Sequence, residues 1–102
     1  MRDRMRDIEY AIQICRIQRD AGRTMRYPDV GRIVGVPCEY GPEPSPMPFQ
    51  IAHRAIMDSF RWYEEHHEYP HDLSLTEVVG ALPAIYAHAV ELLEAQIPPM
   101  GA

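Results

Sequence analysis

Lysine is missing from this sequence: all 10 basic residues in its 102 are arginine. Codon usage in a GC-rich genome is the simplest explanation and needs no functional reason. Cysteine is scarce. Cys15 and Cys38 make no disulfide framework, which points to a reducing cytoplasm and a fold held by packing alone. No apolar run reaches the ~18 residues of a membrane span, and no signal peptide opens the chain. A glycine-rich phosphate loop and a CxxC pair are also missing, which removes the two most readable catalytic or cofactor signatures. What is present is 46% apolar residues at a length usual for one domain.

Charge is unevenly spread. Residues 1–32 hold eight arginines against five acids, a balance of +3, and residues 33–102 hold two arginines against ten acids, a balance of −8; together they make the net −5. The imbalance predicts a basic arm for an external polyanion, or two halves that attract each other within or between chains.

Along the chain, residues 3–23 read as a helix. Met5, Ile8, Ile12 and Cys15 make one apolar stripe, and Tyr10, Ile14, Ile17 and Ala21 a second beside it. The two stripes cover more than half of the helix, broader than docking on one neighbour requires. Two partners are expected, one of them a second protomer, so the chain reads as a homodimer. Gly22 is a natural terminator.

Residues 27–48 are rich in proline and glycine. They predict an irregular connector with a short β-hairpin near 32–40, where Arg32-Ile33-Val34 is the most strand-like run. Residues 49–66 return to helical spacing, with Phe49, Ala52, Ile56, Phe60 and Tyr63 on one face, and the aromatics Phe60, Trp62 and Tyr63 are expected to supply much of the core. Ser74 and Glu77 form a capping box ahead of Leu75, Val78, Val79 and Leu82. Pro83 then breaks or bends the helix, which predicts a short helix over 75–82 and a longer one over 84–97.

Few side chains are placed for chemistry. Cys15 lies in an apolar stripe, and Cys38 has Glu39 beside it, which discourages a thiolate. Glu64 and His67 have the i, i+3 spacing of one helix's ligands in carboxylate-bridged metal bundles, and symmetry in a dimer would supply a second set. The same residues also suit the solvated last turn of a helix, where His66 and His67 meet the negative end of its dipole. The helix after Pro83 offers Gln96 and no base, so phosphate contact would fall to the N-terminal arginines, Arg16, Arg19 and Arg23 among them.

The stretch from Tyr69 to Ile97 resembles the C-terminal half of a family of small bacterial proteins known only as a domain of unknown function and regarded as antitoxins of PIN-like nucleases. The matching residues are Tyr69, Pro70, Leu73, Ser74, Leu75, Val78, Ala81, Leu82, Tyr86, His88 and Glu91. The resemblance implies a compact helix-turn-helix domain that dimerises and engages a nuclease partner.

The sequence therefore predicts a mainly α domain, a small bundle of three to four helices, with an arginine-rich first helix (1–26), a Pro/Gly-rich connector (27–48) and a helical core (49–97). It reads as a non-enzymatic, antitoxin-like interaction protein with no cofactor, whose Trp62, Tyr63, Tyr86, Arg16, Arg19 and Arg23 contact a protein partner. A DNA-binding regulator that uses the N-terminal arginines, and a metal-binding dimer that uses Glu64 and His67, are the alternatives.

Overall fold

A computed structural model describes residues 3–39, 41–67 and 73–98. They form four helices: α1 (Arg4–Ala21), α2 (Tyr27–Val34), α3 (Met47–His67) and α4 (Leu75–Glu94). No strand occurs among the described residues. The long helices α1, α3 and α4 pack on one another in pairs, and α2 rests on α1. None of the described helices is long and apolar enough to cross a membrane.

Local chemistry sets the ends of α1. The Asp3 carboxylate accepts from the amides of Met5 at 3.0 Å and Arg6 at 3.2 Å, satisfying two orphan donors of the first turn. At the other end Gly22 adopts φ +67°, where a side chain would be strained. Its amide and that of Arg23 both return to the Gln18 carbonyl, a Schellman-type stop.

The expected hairpin near 32–40 is not formed. Tyr27–Val34 is a helix instead, with Pro28 in its first turn and Gly35, at φ +90°, at its end. Ile33 and Val34 favour strands by type, but Val30 and Val34 one turn apart make a helical face, and Val30 is buried against α1. Packing overrides propensity here. The connector then folds back over α2. A Cβ on Gly31 would meet Pro44 at 3.0 Å, so a side chain there would push that proline back by a few tenths of an ångström. The Ser45 amide donates to the Pro37 carbonyl at 2.9 Å and closes the loop.

The buried stripe of α3 is Pro48, Ala52, Ala55 and Ser59, so small side chains rather than large ones face the other helices. Phe49, Phe60, Trp62 and Tyr63 are only half-buried. The aromatics flank the core instead of filling it, which corrects the expectation for Phe60, Trp62 and Tyr63.

In α4 both halves of the capping box form: Ser74 Oγ accepts from the Glu77 amide and Glu77 Oε1 from the Ser74 amide, each at 3.2 Å. The helix then continues past Pro83, so the two expected helices are one and no helix-turn-helix forms there. An interior proline costs about 3 kcal/mol through its missing amide and ring clash. Two features offset that cost. Pro83 and Val79, whose carbonyl the missing amide would have met, both lie on the solvent side, where water can take the freed acceptor. On the opposite side Ala81, Ile85, Tyr86, Ala89, Val90 and Leu93 are buried on both sides of the proline.

The core joins Ile8, Ala11, Ile12, Ile14 and Cys15 of α1 to Val30, Ala52, Ala55, Ala89, Val90 and Leu93. The broad apolar surface of α1 does need more than one partner, but α2, α3 and α4 of the same chain provide them. The excess of apolar surface on α1 is therefore no reason for a second protomer. The two charge-imbalanced halves also meet within the chain, through Arg6–Glu39 at 3.0 Å and Arg16–Glu94 at 3.3 Å. Both pairs are solvent-accessible and contribute little to stability.

Candidate interaction surface

The register between helices decides what reaches the surface. Arg16 lies against Glu94, and Thr24 Oγ1 is 2.9 Å from the Tyr86 hydroxyl, so α1 and α4 run antiparallel. Since α1 ends at Ala21 and Tyr86 already faces Thr24, the residues before Tyr86 run past the last turn of α1. From Tyr86 back to Leu75 is about 16 Å of helix at 1.5 Å per residue. That front half of α4 has lost one of its two covering helices. Leu75 is 81% exposed and Val79, one turn on, is 51% exposed, while Val78 and Leu82 beside them are half-buried.

The aromatic and imidazole groups gather where α3 meets α4. The rings of Trp62 and His88 stack at 3.9 Å and 5°, and His88 Nδ1 is 3.0 Å from Ser59 Oγ. That hydroxyl–imidazole pair superficially suits nucleophilic chemistry, but Ser59 is wholly buried and out of reach of a substrate. The imidazole satisfies a buried hydroxyl, as buried polar groups require. Tyr63 stacks on His67 at 3.9 Å, and the Nδ1 atoms of His66 and His67 sit 3.0 and 2.9 Å from the carbonyls of Trp62 and Tyr63. Both histidines thus close the last turn of α3.

The residues singled out for partner contact divide in two. Tyr86 is 1% exposed; burial raises its hydroxyl pKa, and it belongs to the core, not to a contact surface. Arg16 is engaged by Glu94 and Arg19 by Asp20, whereas Arg23 is exposed and forms no ion pair among the described residues. Trp62 and Tyr63 are half-buried near the end of α3.

Glu64 and His67 share the last turns of α3, and among the described residues no three His, Cys, Asp or Glu side chains gather closely enough to hold a metal. The segment 68–72, with the other candidate ligands Glu68, His71 and Asp72 and the resemblance residues Tyr69 and Pro70, lies outside the described residues. Burial pushes the Cys15 thiol up to about 12, so it stays protonated and inert. Cys38 is exposed and donates weakly to the Pro42 carbonyl at 3.7 Å.

One polar residue with no signal in the sequence organises the turn after α1. Gln18 is buried; its Oε1 accepts from the Met25 amide at 3.0 Å, and its Nε2 donates to the Ile14 carbonyl at 3.4 Å. A glutamine in an amphipathic helix gives no hint that it will face inward.

Against known protein families, curated proteins and solved structures, the chain has no match.

Proposed function

We propose that this chain is a non-enzymatic, antitoxin-like interaction module that docks a protein partner on the front half of α4. The observation that supports it is the Leu75–Val79 strip: two large apolar side chains, one turn apart, exposed on a helix that a complete capping box holds in shape before any partner arrives. A preformed helix face loses less conformational entropy on binding than a segment that must first fold. Isolated exposed apolar residues are ordinary, but an adjacent pair on a rigid element is a docking feature. Glu64 and Glu65 sit at the same end of the molecule, so the partner's matching face is apolar with a basic rim.

The resemblance of Tyr69–Ile97 makes a PIN-like nuclease the first partner to try. The test is co-expression with the product of the neighbouring gene, followed by co-purification. The wild-type chain is expected to co-elute, and a Leu75→Asp, Val79→Asp double variant with an unchanged circular-dichroism spectrum is expected to lose the partner. Retention of the partner by that variant would sink the reading. The DNA-binding alternative has less support, because Arg16 and Arg19 are already held by acids of their own chain.

A further inference from the structure

Three helices cover α1, and on its remaining side the cover is thinnest. An open groove of about 510 Å³ runs there, with Tyr10, Ile12, Val34 and Ile97 as apolar walls and Glu9, Gln13 and the Arg16–Glu94 pair as its polar lining. The residue next to Val34 is Ile33, 59% exposed on α2. Arg32, exposed beside it, is 3.9 Å from Asp29, and Arg26 stands at the start of the same helix. Neither Arg26 nor Glu9 has an ion-pair partner among the described residues.

A projecting apolar side chain and a partly apolar groove therefore adjoin through Val34, with the unpaired Arg26 on the projecting helix and the unpaired Glu9 in the groove. We infer that the occupant of this groove is a second copy of this chain. Ile33 of each copy enters the groove of the other, and Arg26 approaches the opposite Glu9. The argument for a second copy is that both complementary features belong to the same surface. A two-fold axis between them satisfies both at once and closes the assembly, whereas an unrelated partner filling the groove would leave Ile33 uncovered. The charges agree, since a cation of one copy meets a carboxylate of the other. This face is separate from the Leu75–Val79 strip, so either reading can fail without the other.

Sedimentation velocity from low micromolar to submillimolar protein decides it. The expected species has twice the 11.8 kDa chain mass. Ile33→Asp should raise the dissociation constant about thirty-fold or more, as loss of a central apolar anchor does. Glu9→Arg should raise it roughly three-fold, and adding Arg26→Glu should restore it. Leu75→Asp should leave it unchanged. A wild-type chain that stays monomeric throughout, a dimer that survives Ile33→Asp, or one abolished by Leu75→Asp overturns the proposal. Circular dichroism of each variant excludes unfolding as the cause. If Ile33→Asp does not fold, the charge swap decides the matter, and failure of Arg26→Glu to rescue Glu9→Arg then overturns the proposal.

Discussion

The first helix and the front half of α4 make an instructive pair. By sequence α1 has the greater apolar excess, and the start of α4 looks like an ordinary amphipathic turn behind a capping box. In the folded chain the roles reverse. Ile8, Ala11, Ile14 and Cys15 are enclosed by three neighbours, while Leu75 and Val79 stand in solvent. Apolar content states how much surface a helix would gain by burying. Whether it is buried depends on which elements pass alongside, and α1 ends before it can cover the start of α4.

The sharpest break of that contrast is a pair of truncations. Ile14→Ala is expected to destabilise the chain by about 2–5 kcal/mol, a lost transfer term plus a cavity. Leu75→Ala should fall within about 0.5 kcal/mol of wild type, as exposed positions do. Urea unfolding followed by circular dichroism measures both, and equal effects would erase the distinction between the regions.

A second prediction concerns the burial of α1 alone. The Cys15 thiol is held neutral up to about 12, whereas an unfolded thiol ionises near ~8.5. Its folded pKa is raised, so its contribution is fully present below the ordinary thiol range and is lost as pH climbs toward 12. Across that window stability should fall by up to about 1.4 kcal/mol per pH unit, and Cys15→Ala should flatten the slope. Ellman's reagent should accordingly titrate one thiol, Cys38, in the native chain and both after denaturation.

A smaller and more local loss is expected at the other pole. Ser74→Ala removes the cap and should cost about 1 kcal/mol. The loss should concentrate in the front of α4, where amide hydrogen exchange over 75–79 accelerates while that of 85–93 holds. Uniform acceleration along α4 would show that its two halves do not differ as described.

Much of the secondary structure is legible in the sequence because its signals are local. Gly22, the Ser74–Glu77 box and the helical spacing in α1 and α3 act within a few residues of where they stand. The departures have one character. Ile33 and Val34 look strand-like because both are β-branched, but contact with α1 and the Gly31–Pro44 approach make Tyr27–Val34 a helix. Pro83 looks like a break because its cost is local, while what offsets it is burial of residues on both sides against distant helices. Of the residues expected at a contact surface, Trp62 and Tyr63 remain partly available and Tyr86 is internal. Gln18 and Ile33 acquire their importance only once the helices are placed.

From sequence alone the chain determined its helical character, most helix ends, the inertness of Cys15 and the imbalance of charge, since caps, periodicity and composition act at short range. The antiparallel register of α1 on α4, the helical state of 27–34, the passage through Pro83 and the choice of which apolar side chains meet water belonged to the tertiary structure. Those depend on contacts between residues far apart in the chain, whose free energies of burial exceed the local preferences they override.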